Sequence, residues 1–120
     1  MKLKRGVIMP LKKIRVTIND IDFKTTGIVT SNKITYHEKD DAKVVYDIEN
    51  QTIERDTKDL KVKYVLKENE KTTGELYMKE LKNTYEVDVH TLFLRWDGRV
   101  LEVEYKIEAE KFKYKIEVLT

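Results

Sequence analysis

The chain has no cysteine, so a disulfide framework, a thiol nucleophile and a thiolate metal site are all excluded. It holds one proline and four glycines among 120 residues. Its turns must therefore be read from Asn and Asp clusters. Charge of one sign is missing as well: 24 basic and 22 acidic side chains leave +2, no signal for a polyanionic partner or an anionic membrane. No stretch approaches the ~18 apolar residues of a membrane span. The basic start is followed by only Val7-Ile8-Met9 before Lys12 and Lys13, too short for a secretory signal. The lone serine, Ser31, precedes Asn32-Lys33-Ile34, so Lys24-Thr25-Thr26-Gly27 and Lys71-Thr72-Thr73-Gly74 have no Ser-x-x-Lys nucleophile to work with. The histidines, His37 and His90, form no short-spaced ligand pair, and no metal or other cofactor is expected. These absences point to a cytoplasmic protein that is not an enzyme.

Alternation is what the chain has in abundance. Leu101, Val103, Tyr105 and Ile107 are apolar with Glu102, Glu104 and Lys106 between them, and Phe112, Tyr114, Ile116 and Val118 repeat the pattern around Lys113, Lys115 and Glu117. A period of two over adjacent runs means antiparallel strands that are dry on one face and wet on the other. Turn clusters recur from Asn19-Asp20 to Ala109-Glu110 and leave segments of mostly five to ten residues, the spacing of a meander of about ten strands. The fold expected is all-β: a single closed or nearly closed antiparallel β-barrel over residues 11–120, behind a basic arm at 1–10.

Two hairpins can be read in detail. Asp97-Gly98 suits a tight turn with positive φ, setting Leu94 against Leu101 and Leu92 against Val103. An Ala109-Glu110 turn sets Glu108 against Lys111 and Glu104 against Lys115. Upstream, Tyr85, Val87 and Val89 are apolar at odd positions, whereas Leu92, Leu94 and Trp96 are apolar at even ones. The phase change near His90-Thr91 predicts a bulge or bend. The two Lys-Thr-Thr-Gly segments, each followed by a Thr-Tyr pair, could echo a duplicated half-barrel. Shared strand chemistry is the default explanation.

Glu38 continues the Ile34, Tyr36 face and Arg55 continues the Ile53 face, so two opposite charges point inward. An unpaired ion there would be prohibitive and a hydrogen-bonded pair tolerable. They could anchor a ligand head group in an apolar, aromatic cavity. The default is a pair at strand ends near the barrel mouth, solvated or bridging each other. The seven tyrosines mostly share parity with apolar neighbours, and their default place is the core. Lys2, Lys4, Arg5, Lys12, Lys13 and Arg15 could meet phosphate or an acidic partner, or form a tail whose last members, Lys13 and Arg15, are the wet face of a first strand (Ile14, Val16, Ile18).

The Thr26-Gly27 strand, Ile34-Thr-Tyr36-His-Glu38, Ile53-Glu-Arg55, the Thr73-Gly74 segment, Glu86-Val-Asp-Val-His-Thr91 and the Gly98…Glu104-Tyr105 strand resemble the YwiB-like family over about residues 12–119. That resemblance implies a calycin-like (lipocalin-like) barrel in a bacterial cytoplasm and an unassigned role. The lipocalin Gly-x-Trp signature is absent, since Trp96 lies late in the chain, so lipocalin-type ligand binding is not carried over. The functional expectation is binding of a small apolar or amphipathic molecule in the barrel interior or mouth, with Tyr36, Glu38, Arg55 and Thr91 at the site. The alternative is an interaction module, a homodimer or a protein or RNA partner held on an outer face. That alternative predicts an exposed apolar patch, and the charge balance argues against nucleic acid.

Overall fold

The computed structural model describes residues 11–38 and 41–119; the basic arm expected at 1–10 lies outside the described residues. Ten strands follow one another: β1 (Leu11–Ile18), β2 (Ile21–Val29), β3 (Lys33–His37), β4 (Lys43–Asp47), β5 (Thr52–Asp56), β6 (Leu60–Val65), β7 (Lys71–Met78), β8 (Asn83–Trp96), β9 (Val100–Ile107) and β10 (Glu110–Val118). Each pairs antiparallel with its sequence neighbours, and β1 pairs with β10 through Ile14↔Val118 to Ile18↔Tyr114, which closes the ring. The chain is thus an all-β, closed ten-stranded barrel, as its alternation implies. Closure through β1 and β10 removes the two terminal edges that an open meander would expose. Among the described residues no helix is long and apolar enough to cross a membrane.

The pleat separates the two sides of the wall. Ile14, Val16, Ile34, Val44, Tyr46, Leu66, Val89, Leu101, Val103 and Ile116 point inward and are essentially sealed. They fill the interior from the level of the Val44–Arg55 and Val103–Tyr114 pairs down to the lower end, where the β2–β3, β4–β5, β6–β7 and β8–β9 connections lie. Gly74 belongs to this packing. A Cβ there would meet Tyr64 Cδ1 at 2.4 Å and Val89 Cγ2 at 3.1 Å, so a glycine lets the Tyr64 ring lie against the strand.

The phase change in β8 is a bulge. Pairing with β9 runs regularly to Thr91↔Tyr105 and resumes at Phe93↔Glu104, leaving Leu92 as the extra residue. Inward positions are odd through Val87, Val89 and Thr91, then even at Leu94 and Trp96.

Both hairpin registers differ from the sequence expectation by two residues. In the β8–β9 hairpin Trp96 faces Leu101 and Leu94 faces Val103. The reason is Asp97, whose carboxylate accepts the N–H groups of Arg99 (2.9 Å) and Val100 (2.7 Å). Asp97 therefore caps the turn from its flank, and Gly98, with φ 94°, takes the first central position ahead of Arg99, as in a type II′ turn. In the β9–β10 hairpin the turn is Glu108-Ala109, with φ 57° at Glu108. Glu104 consequently faces Lys113, Glu102 faces Lys115 and Lys106 faces Lys111. Glu104 lies 3.5 Å from both Lys111 and Lys113.

The repeated Lys-Thr-Thr-Gly segments fall on β2 and β7, but Gly27 faces Tyr36 whereas Gly74 faces Val87. The two registers therefore differ. Tyr36, Tyr46, Tyr105 and Tyr114 are core residues, as expected. Tyr77 and Tyr85 are not, being 36% and 43% exposed. Tyr77 stands on the outer parity of β7. Tyr85 has inner parity, but β9 pairs with β8 only from Val89 onward, so this part of the wall has no neighbour on that side to cover it.

Candidate functional site

The upper end of the barrel carries the β1–β2, β3–β4, β5–β6, β7–β8 and β9–β10 connections. Glu38 follows β3 directly, and its parity with Ile34 and Tyr36 turns it inward. The β3–β4 turn fixes its backbone: Glu38 N–H donates to Ala42 O (2.9 Å), and Asp41 N–H, at φ 63°, donates to Glu38 O (3.0 Å). Arg55, on the inner face of β5, donates to Glu38 Oε1 from Nε (2.8 Å) and from Nη2 (2.5 Å). Tyr114 of β10 donates its hydroxyl to Glu38 Oε2 (3.1 Å), and Tyr36 donates to the Tyr114 hydroxyl (3.0 Å).

This polar chain explains how a carboxylate is tolerated inside. Each Glu38 oxygen has a donor, one of them cationic, which is the condition for burying such a group. The Glu38 side chain is 6% exposed and that of Arg55 is 43% exposed. The pair is therefore asymmetric: the anion is sealed and the cation reaches the open side. Burial pushes the Tyr36 phenol far above the ordinary tyrosine range, helped by Tyr114 and Glu38, and burial likewise raises Tyr114. Both remain neutral hydrogen-bond donors under ordinary conditions.

Above this chain the interior is hollow. A cavity of about 310 Å³ is bounded by Tyr64, Tyr105, Phe112 and Tyr114 on its aromatic side. Ile18, Leu60, Val62, Leu76 and Ile107 line the approach, and Arg55 is the charged residue in the lining. Tyr105 links the aromatic side, stacking on Phe112 (5.3 Å between centroids) and meeting Tyr64 edge-on (5.8 Å). Ten strands enclose more space than eight, whose interiors are about filled by their own side chains. The roof is held locally by Lys79, whose ammonium reaches Asp56 Oδ1 (2.5 Å) and Thr57 O (2.6 Å) and so ties the β7–β8 tip to the β5–β6 turn.

Tyr36, Glu38 and Arg55 are thus brought together as the sequence suggested. Thr91 is placed elsewhere. It is fully buried, but its N–H donates to Glu70 O (3.2 Å) and its carbonyl accepts from Asn69 N–H (2.8 Å). It fastens the β6–β7 turn at the lower end and does not line the cavity. Among the described residues its Oγ1 has no hydrogen-bond partner. Tyr114, the member that sequence reasoning missed as a site residue, was legible as core but not as the donor to Glu38. His37 is exposed and His90 half-buried on β8. Among the described residues no three His, Asp or Glu side chains are grouped to hold a metal ion.

The chain matches no protein-family profile and no curated protein. Its fold is similar to the crystal structure of the ywiB protein from Bacillus subtilis, with a TM-score of 0.60 and 18% identity, covering 92% of this chain and 91% of that one. At that identity the likeness is one of fold, and in that sense this barrel is YwiB-like.

Proposed function

We propose that this protein is a non-catalytic binding protein of the bacterial cytoplasm, with a calycin-like cup that takes up a small, partly apolar molecule at its upper end. The observation that carries this reading is the contrast between the two ends of one interior. The lower end is sealed by close-packed aliphatic side chains, whereas the upper end keeps an apolar and aromatic hollow of about 310 Å³. That volume lies near the small end of the ~300–1,000 Å³ range typical of ligand pockets. Glu38 supports a structural rather than a chemical role for the charged pair, because both its oxygens are held by Arg55 and Tyr114.

A saturable rise in fluorescence of a hydrophobic probe, abolished by Val62→Trp, is the expected result. Absence of saturable uptake in the folded protein overturns the reading. Native mass spectrometry of protein purified from its own host is expected to show a co-purifying small molecule at one per chain.

A second reading rests on the β7–β8 hairpin, which exposes Tyr77, Met78, Leu81 and Tyr85. Two copies meeting there would form a homodimer. The same mass spectrum decides: a dimer free of small molecules favours this reading over the cup.

A further inference from the structure

We infer that the first half of β8 is a docking edge for an extended segment of a partner protein in which basic and apolar residues alternate, added to the barrel wall as a further antiparallel strand. The inference goes beyond the cup reading and stands independently of it.

Unequal strand lengths leave this edge. β8 starts at Asn83, but β9 reaches it only at Ile107↔Val89 before the chain turns into β10. β7 covers the other side of the same stretch, from Met78↔Asn83 to Thr73↔Asp88. Successive residues of an antiparallel strand aim their N–H and C=O groups to opposite sides. Thr91 aims both of its groups toward the β6–β7 turn, at Glu70 O and Asn69 N–H. Odd residues of β8 ahead of the bulge therefore bond toward β7, and even ones away from it. Thr84, Glu86 and Asp88 thus direct their backbone N–H and C=O groups to a side on which, among the described residues, no strand pairs with them. A row of this kind accepts an added strand by main-chain hydrogen bonds.

The side chains specify what that strand carries. On the outer face the row through Glu86 reads Glu54↔Lys63, Lys63↔Glu75 and Glu75↔Glu86. Charge alternates until the last step, where two carboxylates stand side by side at the edge. A hollow of about 380 Å³ adjoins them, lined also by Asp88 and Glu108, and its cations Lys71 and Lys106 stand opposite His90, at its foot. A strand seated on the edge sets one basic residue opposite Glu86 and another opposite Asp88, which restores the alternation. On the inner face the edge presents Tyr85, 43% exposed, and half-buried Val87. The residues between the basic ones are therefore apolar and shield this face from water. A second copy joined edge to edge has only Thr84, Glu86 and Asp88 at its own free positions, and so brings no cation to Glu86.

The test titrates the full chain at low ionic strength with the end-blocked peptides Lys-Val-Lys-Val-Lys and Glu-Val-Glu-Val-Glu, followed by amide nuclear magnetic resonance. The lysine peptide is expected to bind roughly tenfold tighter, with the Thr84, Glu86 and Asp88 amides gaining protection from hydrogen exchange. Residues opposite Glu86 and Asp88 occupy the hydrogen-bonded positions of the added pair. N-methylation of the peptide's lysines is therefore expected to abolish binding, and N-methylation of its valines to leave it intact. Glu86→Lys/Asp88→Lys, two exposed changes, is expected to reverse the preference between the peptides. Equal affinity for the two peptides, no binding of either, or binding indifferent to lysine N-methylation overturns the inference. So does a free chain that runs as a dimer with these three amides already protected, which assigns the edge to a second copy.

Discussion

Tyr114 carries more of the interior polar chain than Tyr36 does, although both are buried phenols joined by one hydrogen bond. Tyr114→Phe removes the donor to Glu38 Oε2 and the acceptor for Tyr36 together, so it is expected to cost about 2–3 kcal/mol, against about 1 kcal/mol for Tyr36→Phe. Urea unfolding of the two variants side by side checks the ranking. The same burial has a consequence for pH. Tyr46 is pushed up to about 12 by desolvation and by Asp47, and Tyr36, Tyr105 and Tyr114 are raised for the same first cause. The unfolded chain, with ordinary phenols near 10, then loses protons before the folded one. Stability is fully present below that value and falls as pH rises above it, by up to about 1.4 kcal/mol per pH unit for each such tyrosine. Urea midpoints, flat up to about pH 9 and dropping steeply above 10, with tyrosinate absorbance appearing only on unfolding, are the expected record. The inward placement of Tyr36, Glu38 and Arg55 was legible because strand parity alone sets it. Parity also turns Thr91 inward, but it says nothing of height along the barrel, and Thr91 sits at the other end. The Tyr114–Glu38 contact joins residues 76 apart, and only ring closure brings them together.

At the level of elements, β8 tests how a strand changes phase. Leu92 is the surplus residue, so deleting it turns Val89, Thr91, Leu94 and Trp96 into one regular inward series. Deleting Glu104 from β9 does the reverse: it keeps Leu101 and Val103 inside and sends Tyr105 and Ile107 to water. Deletion of Leu92 is therefore expected to cost within the ordinary ~0.5–3 kcal/mol of a local change, with the barrel retained. Deletion of Glu104 is expected to leave an unfolded or aggregated chain, as read by far-ultraviolet circular dichroism and gel filtration. The strand set and the bulge were legible because alternation is a property of the sequence itself. The two hairpin registers were not. Positive φ falls on Glu108 in one turn, a residue type that signals nothing, and in the other the Asp97 side chain caps the turn that Gly98 begins. A dipeptide rule assigns both central positions to the residues with the strongest turn preference, and in each hairpin the turn sits one residue away.

The whole molecule is a ring whose first and last strands must meet, with a sealed lower end and a hollow upper one. Stability and binding are thereby separated in space. Close packing below means that a deletion of side-chain volume leaves a cavity the wall cannot collapse to fill. Ile34, fully buried there, illustrates this: Ile34→Ala is expected to cost about 2–5 kcal/mol with ligand uptake unchanged in the protein that remains folded. Above, added volume has somewhere to go. Val62→Phe, on the cavity wall, would place its ring in the hollow against Tyr64 and Arg55, burying apolar surface without crowding a filled core. Cavity filling of this kind contributes about 0.5–2 kcal/mol, so this variant is expected to unfold at higher urea with an unchanged slope while losing probe uptake. A Val62→Phe chain less stable than the parent would show that the upper end is already packed, and with it that the barrel holds no cup. The opposite signs expected for the two variants follow from a single feature, an interior that ten strands make too wide for the side chains this sequence supplies at one end.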